Sequence, residues 1–230
     1  MLRVRPIHHT PHVEEWARLL TTLGLIELPA SGGHGEFAAA GGKIRLLDSG
    51  MPWTELGFEI RDLDKFADWT RSDGTPVTIT GDGSSRAGRI TGPDGLSFLA
   101  EPVTPGDPSA GTEPGLIVLA LWNTPDVSGA SATLRNIGAR PDTTSDAGTW
   151  EQFRAKNGGL VAAHAGSEPG AALSFEYAGA AQKLLDILHS RGIDATLVDE
   201  AHGRTVLVPD PDGTLLRISE RLHGHTGHAE

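Results

Sequence analysis

Hydrophobic positions along the chain follow two rhythms. Val13, Trp16, Leu20 and Leu23 recur at helical spacing, and Gly24 sits where a helix would stop. Ahead of them, Arg3 to His9 reads as a strand that ends before Pro11. Short strands separated by Gly-rich turns are expected near 25–29, 34–40 and 42–48. Then come a strand at Glu55–Ile60, a helix at 63–72 with Phe66 and Trp69 turned inward, and strands near 76–80, 86–91 and 96–101. The second half runs the same way. It has a strand at 116–122, a helix at 126–137 and strands near 141–145, 149–155 and 159–165. A strand at 171–177, a helix at 179–190 and strands at 193–198, 203–208 and 214–220 complete it. The fold class is therefore α+β, with four βαβββ units in series.

Self-similarity supports this division. Pro93-Asp94-Gly95 returns as Pro211-Asp212-Gly213, and Ser72-Asp73-Gly74 as Ser190-Arg191-Gly192, both shifted by 118. Phe58-Glu59 returns as Phe175-Glu176 after 117 residues, and Leu23-Gly24 as Ile137-Gly138 after 114. The order and near-constant offset predict an N-terminal module at 1–103 and a C-terminal module at 115–221. Between them, residues 104–114 are rich in Pro and Gly and carry no hydrophobic period, which is the pattern of a linker. Residues 222–230 form a His-rich tail, a poor frame for a catalytic site.

Composition narrows the function. A formal charge of −11 argues against nucleic acid and anionic membranes as partners, since both are bound through basic excess. With no cysteine, disulfides, thiolate catalysis and iron–sulfur clusters are excluded. No apolar run reaches the roughly 18 residues of a membrane span, and the first residues lead into no signal-peptide core, so a cytoplasmic location is expected. The glycines at 32–35 and 81–83 lack the Lys-Ser/Thr ending of a phosphate loop and read as turns. The chain has no G-x-S-x-G and no H-E-x-x-H.

The first strand and helix ending in Leu23-Gly24 or Ile137-Gly138, the strands Glu55–Ile60 and Ala172–Tyr177, and the two Pro-Asp-Gly turns together resemble the vicinal oxygen chelate superfamily. That superfamily includes glyoxalases, extradiol dioxygenases and bleomycin-resistance proteins. The resemblance implies two glyoxalase/bleomycin-resistance-like modules whose mixed sheets curl into cups. It also implies metal-ligand positions at Val4, Glu55, Leu99, Val118, Ala172 and Arg217. Of these only Glu55 offers a metal donor, so neither a metal nor another cofactor is expected.

If units pair as in the bleomycin-resistance arrangement, the second and third share a cup lined by Glu55, Leu99, Val118, Trp122 and Trp150. The first and fourth then share one with Val4, His8, Ala172 and Arg217. Trp122 would supply a stacking face and Glu55 an anchor for a cationic group. The expected function is metal-free binding of a small, partly aromatic molecule, as in sequestration of an antibiotic or metabolite, by a monomer or homodimer. The alternative is a lyase, isomerase or dioxygenase with displaced metal ligands, or with Glu55 or His8 as base.

Overall fold

A computed structural model describes residues 1–29, 35–103, 115–200 and 203–221. The expected linker at 104–114, the tail at 222–230 and the glycines at 32–34 lie outside the described residues.

Four units follow one another. The first comprises β1 (Leu2–Val4), β2 (Ile7–Thr10), α1 (Val13–Thr22), β3 (Ile26–Leu28), β4 (Gly35–Ala38) and β5 (Lys43–Asp48). The second has β6 (Trp53–Glu55), β7 (Gly57–Ile60), α2 (Leu63–Ser72), β8 (Val77–Thr80), β9 (Ala87–Thr91) and β10 (Ser97–Pro102). The third has β11 (Leu116–Thr124), α3 (Val127–Asn136), β12 (Arg140–Thr144), β13 (Trp150–Arg154) and β14 (Leu160–Ala165). The fourth has β15 (Gly170–Tyr177), α4 (Ala181–Ser190), β16 (Thr196–Glu200), β17 (Gly203–Pro209) and β18 (Leu215–Glu220).

In every unit the strand just before the helix runs parallel to the last, in the pairs β2–β5, β7–β10, β11–β14 and β15–β18. The leading strands of neighbouring units then join antiparallel. β11 pairs β15 in the C-terminal half, while β1 pairs β7 and β2 pairs β6 in the N-terminal half. The single expected first strand is thus broken in two around Pro6, which has no N–H to give a ladder. β15 also pairs β6, with Ala171 opposite Thr54, so one 13-stranded sheet runs from the third and fourth units through β6 into the first, while β1, β7, β10, β9 and β8 form a separate five-stranded sheet. Among the described strands no ladder joins unit two with three or one with four, the pairs expected to share a cup.

That cross-pairing exists on the helix side instead. Arg191 Nη1, at the end of α4, donates to Thr22 O at the end of α1 over 2.9 Å. Asn136 Nδ2, at the end of α3, donates to Asp73 O beyond α2 over 2.7 Å. Between helices and sheets lies one continuous apolar core that draws on all four units, including Leu20, Phe58, Phe98, Trp122, Leu134, Phe175 and Leu188. Each such side chain contributes about 1.5–3 kcal/mol on burial. Trp69 is not among them and is 70% exposed. The buried stripe of α2 runs through Leu63, Ala67 and Thr70, with Phe66 at its margin, and Trp69 falls beyond that edge.

The two halves dock by matched contacts. Val118 N donates to Gly41 O over 2.8 Å, and its counterpart Val4 N donates to Gly158 O over 3.0 Å. The adjoining Gly42 and Gly159 have φ of 84° and 87°. A Cβ on either would come within 2.9 Å or 2.5 Å of the opposing valine's Cβ, so only glycine lets the hairpins approach this closely.

The Pro-Asp-Gly turns cross between halves as well. Asp212 accepts from Thr10 Oγ1 at 2.6 Å, His8 Nε2 at 2.8 Å and Trp16 Nε1 at 2.7 Å. Asp94 accepts from Trp122 Nε1 at 2.8 Å. Burial pushes the Asp212 carboxyl up, but bonds from Thr10, His8 and Trp16 outweigh it and hold the group below the ordinary aspartate range.

Asp212→Asn should destabilise the protein by about 2–4 kcal/mol at pH 7, because an amide cannot accept from all three donors. The folded Asp212 binds its proton less tightly than the unfolded one. Its contribution is therefore complete above the unfolded value of about 3.9 and disappears as pH falls through the folded value. Urea denaturation of both proteins should show a gap that is widest at neutral pH and narrows towards about pH 3. An equal gap at both pH values would rule this account out.

Candidate functional site

Strand alternation divides each sheet into a face under the helices and a helix-free face. On β11, Val118, Ala120 and Trp122 belong to the helix-side core, whereas Leu119 joins a separate cluster with Leu160 and Ala162 on the other face. Ile117, Leu121 and Trp150 border that second cluster. The expected assignment of Val118 and Trp122 to a ligand face is therefore reversed. Trp122 is fully buried, with its indole edge-on to Phe98 at 5.5 Å. Val4 lies in the same core, so Arg3 beside it turns to the helix-free face, as does Arg5 just beyond the strand.

His8 is also placed differently from expectation. It packs on Trp16 of α1 with ring centroids 4.4 Å apart. Both its nitrogens are engaged, Nε2 by Asp212 and Nδ1 by Thr54 Oγ1 at 3.0 Å. Its role is in the join between the halves. Arg217 does lie on the helix-free side, where it pairs with Glu200. Leu99 sits opposite Gly57 of β7. Glu55, Leu99, Trp150 and Arg217 thus point away from the helices, Leu99 from the five-stranded sheet and the other three from well-separated strands of the 13-stranded one.

The helix-free face of the N-terminal half is charged. Glu59 receives Arg3 Nη1 at 2.9 Å and Lys43 Nζ at 3.2 Å, with Arg5 Nη1 at 3.5 Å. Glu101 receives Arg5 and, at 2.9 Å, Arg45 Nη1. Glu36 lies 3.1 Å from Lys43 Nζ and 3.6 Å from Arg5 Nη1. At the outer end of this face, His9 and Trp53 stack with centroids 3.8 Å apart and rings inclined by 7°. Glu55 Oε2 lies 3.8 Å from His9 Nε2. Burial, helped by the His8 charge, pushes His9 down. Burial pushes Glu55 up, partly opposed by Arg89.

The corresponding face of the C-terminal half is apolar at its floor. Trp150 meets His164 edge-on at 5.6 Å, and His164 Nδ1 lies 3.1 Å from Asn123 Oδ1. At the inner end Gln152 Nε2 donates to Glu176 Oε1 over 2.8 Å, and Arg221 Nε lies 3.6 Å from Glu176 Oε2. Burial pushes the Glu176 carboxyl up more strongly than Gln152 and Arg221 hold it down.

Neither face suits the divalent ion that the resemblance implies. In the N-terminal half the three inner carboxylates are already matched with guanidinium and ammonium groups, which would repel a metal. In the C-terminal half the leading strands present Ile117, Leu119, Leu121, Ala172, Ser174 and Glu176, a single carboxylate among groups without strong donors. Among the described residues no three His, Asp or Glu side chains gather to hold an ion.

The Glu176 environment leads to a pH prediction. Its raised folded value makes the charged form the costly one, a cost present at neutral pH and absent below the unfolded value of about 4.3. Glu176→Gln should raise Tm at pH 7, and the gain should shrink to nothing near about pH 4 when both proteins are melted side by side. A loss of stability at pH 7 would contradict it.

No family model and no curated protein matches the sequence. Solved structures do. An extradiol ring-cleaving dioxygenase from B. fuscum superposes with a TM-score of 0.69 at 16% identity, covering 99% of this chain and 74% of that one. The 2,3-dioxygenase LapB from Pseudomonas sp. KL28 gives 0.68 at 16% identity, over 97% and 94%. The Mn(II)-bound glyoxalase from Novosphingobium aromaticivorans gives 0.64 at 15% identity, over 97% and 84%. At these identities the likeness is one of architecture. Taken with the four βαβββ units and their pairing, it establishes that the chain has the vicinal oxygen chelate fold, built as tandem modules.

Proposed function

We propose that this protein binds a small organic molecule without a metal, on the helix-free face of its C-terminal module. The observation that carries the reading is the apolar floor of Leu119, Leu160 and Ala162 with the partly exposed Ile117, Leu121 and Trp150 around it. An apolar floor with a few polar groups converging at one end is the usual make-up of a ligand pocket. Here the polar end is the Gln152–Glu176 pair.

Curvature supports the proposal. β13 and β15 are separated by β14 and β11, which is about 14 Å in a flat sheet. The side chains of Gln152 and Glu176 still meet, a contact that favours a sheet bent towards its helix-free face. The ligand's apolar body would lie against Trp150 and Leu121, with a hydrogen-bonding group turned to Gln152 and Glu176. The metal-dependent alternative lacks a donor set among the described residues. The expected base His8 is committed to Asp212 and Thr54.

Screening small aromatic compounds by thermal shift, in EDTA, provides the test. A ligand at 100 times its Kd should stabilise the protein by about 2.7 kcal/mol and quench Trp150 fluorescence. Leu121→Glu should abolish that binding, while Trp69→Phe, on the exposed side of α2, should leave it intact. Hits that bind Leu121→Glu as tightly as the unaltered protein, or that need a divalent ion, would sink the proposal.

A further inference from the structure

The outer end of the β2–β6 pairing holds a constellation that neither the fold nor the C-terminal site requires. His9 stands opposite Trp53, and Ile7 opposite Glu55. At the same places in the other half, Asn123 stands opposite Gly170 and Leu121 opposite Ala172. The same seam therefore forms with glycine and alanine where the N-terminal half has tryptophan and glutamate. Structural need does not account for these side chains.

Two further features single out the cluster. His9 Nε2 is shielded from solvent and has no hydrogen-bond partner among the described residues, and at 3.8 Å Glu55 Oε2 is too far to provide one. Trp53 is 49% exposed although one ring face is covered by the His9 imidazole. A large aromatic surface is thus held in a fixed orientation by stacking and offered to solvent beside a carboxylate.

We propose that Trp53, Glu55 and His9 form a second binding site, for a small planar organic cation of the amidinium or protonated N-heterocycle class. The cation lies on the open indole face, where the ring quadrupole attracts it. One of its N–H groups donates to the Glu55 carboxylate, a charge-assisted bond, while His9 holds the indole from its opposite face. Burial works against the ionised form of Glu55 that this contact needs, a cost offset in part by the neighbouring Arg89. Arg89 also sets a limit, because with one carboxylate against one guanidinium the site suits a singly charged ligand and not a metal dication.

Benzamidine is a suitable probe, with benzamide as its neutral and benzoate as its anionic counterpart. Followed by the Trp53 indole N–H resonance and by calorimetry, benzamidine should bind at least about ten-fold more tightly than either. Glu55→Gln and Trp53→Ala should each weaken it by about ten-fold, and Leu121→Glu, on the C-terminal face, should not change it. Equal affinity for benzamide, an unshifted Trp53 resonance in the unaltered protein, or indifference to Glu55→Gln would overturn the assignment. Loss of benzamidine binding in Leu121→Glu would place the cation on the other face and overturn it as well. Failure of the C-terminal site alone would leave every one of these results standing.

Discussion

The buried carboxylate of Asp212 joins the Pro-Asp-Gly turn before β18 to β2 and α1. It is 3% exposed and takes hydrogen bonds from a hydroxyl, an imidazole and an indole of the other half. Its repeat, Asp94, does the same across the other join with a single indole. A carboxylate buried in this way is tolerated only when its lone pairs are filled, which fixes the relative position of both elements. The partners differ in an informative way. In the first unit the strand supplies His8 and the helix supplies Trp16, whereas in the third the strand supplies Trp122 and the helix Ala130. The large ring moves from helix to strand, and its N–H reaches the aspartate from either place.

This docking divides the labour between the two faces of each sheet. On the helix side, one core and two aspartate contacts tie all four units together, so substitutions there are felt throughout. The helix-free faces carry little of that load and have diverged completely in chemistry. One is a lattice of acids and bases in which Arg5 and Lys43 sit among Glu36, Glu59 and Glu101. The other is an apolar floor closed at one end by Gln152 and Glu176. In the first, the protein's own cations satisfy carboxylates that would otherwise attract a metal. In the second, the donors are missing.

Much of this architecture was legible in the sequence because local signals agree with it. Leu63–Ser72 and Val127–Asn136 start at Asp62 and Asp126, whose side chains accept from Lys65 N and Gly129 N. Alternation correctly put Leu56, Phe58 and Ile60 opposite Glu55 and Glu59, since one set is apolar and the other acidic. On β11 the same logic had nothing to grip. Both Ile117-Leu119-Leu121 and Val118-Ala120-Trp122 are apolar, and only contacts with Phe98 and the turn at Gly92 decide which set lies under the helices. Cross-half contacts are equally silent in a single sequence. Pro211-Asp212-Gly213 is explained well enough as a turn, and nothing in its residues announces that Asp212 faces Trp16.

Comparison of the two halves provides a signal that composition and motif searches miss. Positions where both halves keep similar residues, such as Val4 with Val118, Gly42 with Gly159 and Asp94 with Asp212, are those at which the structure shows packing, close approach or docking. The requirement there comes from the fold and acts twice. Where the halves differ at matched places on the helix-free seam, the fold accepts either residue, and the choice needs another cause. His9, Trp53 and Glu55 against Asn123, Gly170 and Ala172 is such a place, and it is also where a shielded ring nitrogen has no hydrogen-bond partner among the described residues and an indole is left open to water. A half-buried His–Glu pair beneath an exposed tryptophan costs stability that the opposite half avoids with smaller residues. Internal duplication thus acts as a control within one molecule, separating what the architecture needs from what has been added to it.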